Sequence, residues 1–269
     1  MALTLERARA RLLEAARAAR PEAVFDATGY ASRLEENLID GVHPGQFEAD
    51  YRAGAGRELG GKMRAAHSSA ALVVNTFAPW RERPATMTIG GFGDFTALRF
   101  EAVYPTGLGG TSPHLDVLAE GACTLAVESK LVEYLTPKVG AFSSAYDTIA
   151  DFRCDSPWFR LIAKLRAHPA AYRYLDAAQL VKHSLGLMRG CPQATLLYLY
   201  WEPVNWHEFR EFREHRDEIA GLGAVLGASS PPLRAMTYAQ LWEEWSGVDC
   251  HDWLRIHIER LRQRYELPI

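Results

Sequence analysis

The chain has 269 residues, 48% of them hydrophobic, which is enough to bury a sizeable core and argues against disorder. Thirty Lys and Arg stand against thirty-three Asp and Glu, so a formal charge of −3 leaves no chain-wide positive field to hold a polyanion; binding of nucleic acid would need a local basic patch. Cys123, Cys154, Cys191 and Cys250 form no C-x-x-C pair, which argues against a structural zinc site or a disulfide scaffold and fits a reducing cytoplasm.

Helical spacing is expected over 4–19. The Arg-rich start raises the idea of a transit peptide, but Glu6, Glu14 and Glu22 count against it. No apolar run approaches the roughly 18 residues of a membrane span, so no membrane is expected as a partner. A second helix is expected over 29–38, then a Gly-rich turn, "RAGAGRELGGK", running into helical sequence over 56–77 that Pro79 ends. "TALRFEAVY" alternates as a strand, with Glu101 out of phase with Phe100. "HLDVLAE" and "CTLAVESK" follow as two more strands turned at Glu120, Gly121 and Ala122. Helix resumes over 157–189 with a break at Pro169, and "ATLLYLYW" at 194–201 reads as a buried strand. Three helices are expected in 207–265, and no internal repeat divides the chain. The expected plan is one α/β domain: an N-terminal helical extension (1–40), a core (41–201) and C-terminal helical decoration (202–269).

The charged residues inside apolar strands carry the chemistry. Period-two alternation points Glu128 and Lys130 one way and Leu125 and Val127 the other, while Asp116 shares a face with His114 and Leu118. An antiparallel pairing that sets Asp116 beside Glu128 gathers two carboxylates and one ammonium. The carboxylates repel, and a hard divalent cation relieves that repulsion through oxygen ligands. A buried Asp/Glu/Lys ion-pair cluster is the structural alternative; spacing alone does not separate the two.

Asp116, eleven residues, then Glu128-Ser129-Lys130 on adjoining strands resembles the signature of the PD-(D/E)XK, or restriction-endonuclease-like, nucleases. The stretches "GAGRELGGKMRAAHSSAALVVNTFAPW" and "LRFEAVYPTGLGGTSPHLD" resemble a group of bacterial restriction endonucleases of that superfamily. In place of the Pro that often precedes the Asp, this chain has Leu115, with Pro113 three positions before Asp116.

The resemblance implies a restriction-endonuclease-like α/β core, a central mixed β-sheet flanked by helices, with additional helices at both ends. It implies Mg²⁺-dependent hydrolysis of DNA, with Mn²⁺ as a substitute. Asp116, Glu128 and the Ser129 carbonyl would bind the metal, and Lys130 would orient or activate the attacking water. Glu58 and Glu101 are further carboxylates for the site; a helix-dipole Glu and a solvated strand face are their plainer readings. His114 is a substrate or water contact, and Gln179, Lys182 and His183 lie on neighbouring faces of one helix. Between Asp151 and Gly190, Arg153, Arg160, Lys164, Arg166, Arg173, Lys182 and Arg189 outweigh three Asp, with Trp158, Phe159, Tyr172 and Tyr174 interleaved, which makes this stretch the expected phosphate contact. Double-strand cutters commonly act in pairs, so a homodimer is a further expectation. A nuclease-like fold that binds nucleic acid without cutting it is the alternative. "GAGREL" lacks the third Gly of a dinucleotide fingerprint, and neither a Walker loop nor a G-x-S-x-G elbow occurs.

Overall fold

The computed structural model describes residues 2–54, 58–108, 112–147, 156–247 and 251–269. Ala55 to Arg57 of the Gly-rich turn, Arg153, Cys154 and Cys250 lie outside the described residues.

Five strands form one mixed sheet in the order β1-β2-β3-β4-β5. They are β1 (Phe95–Val103), β2 (His114–Gly121), β3 (Thr124–Lys130), β4 (Thr195–Tyr200) and β5 (Leu233–Thr237). The first three make an antiparallel meander, and β4 and β5 add in parallel. Strict alternation sorts the side chains of the central strands into two cores. Val117, Leu125, Val127, Leu197 and Leu199 pack on one face with helix α3 (Ser69–Phe77) and the C-terminal helices α7 (Tyr238–Ser246) and α8 (Asp252–Tyr265). Leu118, Ala126, Leu196 and Tyr198 pack on the other with α4 (Pro157–Ala167), α5 (Ala177–Gly190) and α6 (Arg210–Leu226). Both faces of the sheet are covered, which is why β3 and β4 read as continuous apolar runs. Among the described residues, no helix is long and apolar enough to cross a membrane.

Helix α1 (Ala2–Ala19) forms where expected and packs against α8, burying Ala8 and Leu12 completely. Three expectations are corrected. Residues 29–38 are not an α-helix: Asp26 Oδ1 accepts hydrogen bonds from the Thr28 and Tyr30 amides, Gly29 sits at φ +87°, and only a 3-10 turn, Leu34–Asn37, follows. Side-chain capture of backbone donors competes with helix there. The stretch over 56–77 is α-helical only from Ser69, where Ser68 caps the Ala71 amide; Lys62–Arg64 is a 3-10 turn after Gly60 and Gly61. Finally, the three helices expected in 207–265 form as α6, α7 and α8, but β5 stands between the first two, so the C-terminal segment completes the sheet as well as covering it. Pro231 and Pro232 just before β5 discourage helix there.

Candidate active site

The β2–β3 ladder runs from Glu120↔Thr124 to Val117↔Val127 and ends there. The next residue on each strand is Asp116 and Glu128, so the register sets these two carboxylates side by side where the ladder stops. Asp116 Oδ2 accepts the Ser129 amide at 2.6 Å, replacing the ladder bond that the parting strands no longer make. On the other side of β2, Phe100↔Val117 and Ala102↔Leu115 bracket Glu101, which is left out of the pairing at φ +52°. A left-handed Glu in a strand stores roughly 1–3 kcal/mol of strain, and such strain concentrates at functional sites. Its carboxylate lies 3.1 Å from His114 Nδ1.

The short helix α2 (Glu48–Ala53) fixes the β1 side of this region. Asp50 pairs with Arg81 through both oxygens and accepts the Phe100 amide at 2.9 Å. On the opposite side, Ser129 Oγ and Tyr238 Oη are 2.6 Å apart, tying β3 to the start of α7. Gln179, on α5, completes the wall; its amide is capped by Asp176 at 2.9 Å. Together these elements surround a cleft of about 500 Å³, into which Asp116, Glu128, Lys130, Glu101, Glu58 and His114 all face.

Electrostatics separate the two central acids. Burial, then the neighbouring Glu128 charge, pushes the Asp116 carboxyl well above its ordinary range, with Lys130 only partly offsetting them. Burial also pushes Glu128 up, but Lys130 and His183 outweigh it and hold the group at about 2. Lys130 is the mirror image: burial works against its charge, yet Glu128, Asp116 and Glu133 hold it protonated with its affinity for the proton raised. Glu101 is raised by burial and by the Glu58 charge. The cleft therefore holds a fixed anion, a fixed cation and a carboxyl that binds its proton more tightly than usual, because it is buried and lies beside the Glu128 charge. That division of roles between paired carboxyls is the pattern of acid–base sites.

The expected site residues divide clearly. Asp116, Glu128, Ser129, Lys130, Glu58, Glu101, His114 and Gln179 meet at the cleft. His183, expected to face substrate, is 2% exposed; its Nε2 lies 2.8 Å from Glu128 Oε2, off the line of a well-aligned hydrogen bond, so it braces that carboxylate from behind. Lys182 leans toward the Phe142 ring, 5.9 Å from its centroid, and Arg173 toward the Tyr174 ring at 5.5 Å; neither lines the cleft. The phosphate contact expected of the basic stretch 151–190 is therefore absent at the cleft among the described residues. In its place the cleft recruits Arg9, Tyr30, Lys62 and His67, none of them an expected site residue, although Lys62 and His67 lie within the stretch that carries the resemblance.

A hard divalent cation fits the donor chemistry. Among the described residues, no group of three or more His, Cys, Asp or Glu is arranged around one ion position. Two adjacent carboxylates, with the Ser129 carbonyl next to Glu128 in sequence, nevertheless match the sparse oxygen set that Mg²⁺ takes when water and phosphate complete its shell. Burial and the Glu128 charge push the Asp116 carboxyl toward its protonated form, so a cation bound there would have to displace that proton.

The family model described as Restriction Endonuclease associating with ARP matches residues 2–266. No curated protein and no solved structure matches the chain. With nearly its whole length matched, helices at both ends included, the chain belongs to the family of restriction endonucleases associating with ARP.

Proposed function

We propose that the cleft is the active site of a Mg²⁺-dependent endonuclease that hydrolyses DNA phosphodiester bonds on a restriction-endonuclease-like core. The observation that carries this reading is the placement of Asp116 beside Glu128 where β2 and β3 part, open to a cleft, with the Lys130 ammonium in contact with Glu128. Family membership supports a nuclease; the metal, the DNA substrate and the residue roles are our proposal.

Asp116, Glu128 and the Ser129 carbonyl would hold Mg²⁺, or Mn²⁺ in its place. Once bound, the ion supplies charge neutralisation on the phosphate oxygens and a more acidic water. Asp116 must give up its proton to ligate, so occupancy rises with pH. Lys130 stays charged and donates toward the attacking water and the phosphate. Glu128 anchors that ammonium, and His183 holds Glu128. Glu101 and His114 form a pair at the cleft wall that accepts a proton from the water or a hydrogen bond from substrate.

The test is metal-dependent nicking or linearisation of plasmid DNA, blocked by EDTA and lost in Asp116→Asn and Glu128→Gln with folding intact. Full activity in both variants would sink the assignment. A second reading, a nucleic-acid-binding protein without chemistry, draws on Glu128 having both oxygens engaged, one by Lys130 and one by His183. DNA binding with no cleavage at any Mg²⁺ or Mn²⁺ concentration would favour it.

A further inference from the structure

The cleft has two walls of different origin. One is built from the sheet and carries Glu101, Asp116, Glu128 and Lys130. The other comes from the first 69 residues and presents Arg9 from α1, Tyr30, Lys62 and His67, together with Glu58.

The second wall differs from an ordinary solvated surface in its pairing. Arg7, Arg9 and Arg17 all belong to α1, yet only Arg9 lines the cleft. Arg9 and Lys62 are exposed, and neither side chain has an ion pair or hydrogen bond among the described residues. Most other surface cations near the N-terminal segment are engaged: Arg20 with Asp40, Arg33 with Glu36, Arg52 with Glu48, Arg81 with Asp50. The same wall carries a ring pair, Tyr30 and His67, edge to face with centroids 6.2 Å apart. His67 is held below its ordinary range, first by burial and then by the Arg9 charge, so Arg9 acts on the inside of the cleft and not only on its rim. A neutral imidazole beside a tyrosine offers a flat, weakly polar surface with hydrogen-bonding edges, and among the described residues no carboxylate comes within ion-pair distance of Arg9 or Lys62 on the same wall.

We infer that this N-terminal wall is a nucleic-acid subsite, in which Arg9 and Lys62 grip a phosphate adjacent to the one at the acidic wall while the Tyr30–His67 pair contacts the intervening nucleotide. The inference rests on the proposed nuclease reading for the acidic wall, and deepens it by making the N-terminal helix part of substrate recognition. The chemistry is charge-assisted hydrogen bonding to phosphate, which positions a strand without reading its sequence. A cleft of about 500 Å³ offers room for a nucleotide between the two walls.

The experiment is fluorescence anisotropy of a labelled DNA oligonucleotide in EDTA, which removes cleavage from the measurement. It compares the full chain with Arg9→Ala/Lys62→Ala and with Arg7→Ala, a cation of the same helix outside the cleft. Both cleft residues are exposed and unpaired, so folding is not at stake, and circular dichroism verifies it. The double variant is expected to bind at least about tenfold more weakly at low salt, and its log Kd against log salt slope to shrink by about 1.4–1.8, the value of two lost phosphate contacts. Arg7→Ala is expected to match the parent. Equal binding and equal slope in the double variant, an equal loss in Arg7→Ala, or no oligonucleotide binding by the parent chain would each overturn the subsite. Failure here stays distinct from failure of the nuclease reading: Mg²⁺-dependent cleavage that survives in the double variant with unchanged KM removes the subsite alone. Binding that depends on Arg9 and Lys62 with no cleavage by the parent removes the nuclease alone.

Discussion

Two buried clusters in this molecule each contain a charge, and they handle it in opposite ways. At Arg264, 2% exposed on α8, the guanidinium donates to the carbonyls of Leu12 and Ala66 and to Asn37 Oδ1, and lies 4.7 Å from the Tyr265 ring centroid. Asn37 in turn donates to the Met63 and Ala65 carbonyls, and Asn75 bridges Tyr265 and the Asn37 carbonyl. Neutral dipoles satisfy the charge and stitch α1, α3 and α8 together. At Asp116 and Glu128, like charges are pressed together instead, one carboxyl is forced toward its protonated form, and the cluster opens on a cleft. The first arrangement maximises stability and offers nothing to a ligand. The second keeps two buried carboxyls side by side next to one ammonium and open to a cleft, the kind of arrangement that marks candidate functional sites.

The sharpest way to break this contrast is by activity. Asp116→Asn, Glu128→Gln and Lys130→Ala are each expected to lower Mg²⁺-dependent plasmid cleavage by ~1000-fold or more, equivalent to about 4 kcal/mol of barrier. Arg264→Met is expected to leave cleavage per folded molecule unchanged. A comparable loss in Arg264→Met at full folding would erase the distinction between the clusters.

Stability should run the other way. Arg264→Met removes the donor from three buried oxygens, of which the Leu12 carbonyl keeps its helical bond, and is expected to cost about 3 kcal/mol in urea unfolding, since each buried unsatisfied group costs about 1–3 kcal/mol. Asp116→Asn removes a repelling carboxyl and is expected to be neutral or stabilising near pH 7. A larger loss in Asp116→Asn than in Arg264→Met would mean that the acids hold the fold together.

The pH dependence sharpens the same point with opposite signs at adjacent residues. The Asp116 pKa is raised in the folded chain, so its contribution to stability is present below the unfolded value near 3.8 and fades as pH rises toward the folded value. Glu128 is lowered to about 2, so its contribution is present above 4.5 and is lost as pH falls from 4.5 toward 2. The Tm difference between Asp116→Asn and the parent should therefore grow in the variant's favour from pH 4 upward, whereas Glu128→Gln should lose stability relative to the parent above pH 4.5. Flat differences would deny the coupling.

The smallest expected effect concerns Glu101. Asn tolerates positive φ, so Glu101→Asn should raise stability by about 1 kcal/mol while reducing cleavage, measured by thermal unfolding and plasmid nicking on one preparation. Lower stability with full activity would make the strained Glu a packing feature only.

What the sequence made legible follows from where its signals lie. Asp116, Glu128 and Lys130 stand out because they interrupt apolar strands whose period of two fixes which way they point. Glu101 was visible by the same alternation, but its left-handed backbone was not, since nothing local requires it. His183 was recognised as present on the right helix and misassigned, because helical spacing says which residues share a face but not that this face is pressed against β3. The N-terminal wall is legible only in that Lys62 and His67 share the stretch that carries the resemblance; Arg9 and Tyr30 come from other segments, brought to it by the packing of α1 on α8 and of α3 on the sheet. β5 escaped for a related reason. "LRAMT" is short, its two middle positions are both exposed, and its strand character comes from parallel pairing with β4 rather than from its own pattern.

The most direct test of the central claim is anomalous diffraction from a crystal soaked in Mn²⁺. A peak with oxygens of Asp116 and Glu128 both at about 2.0–2.2 Å is the expected result. A saturating soak that leaves Asp116 on the Ser129 amide and Glu128 closed between Lys130 and His183, with no peak between the two carboxylates, would contradict it.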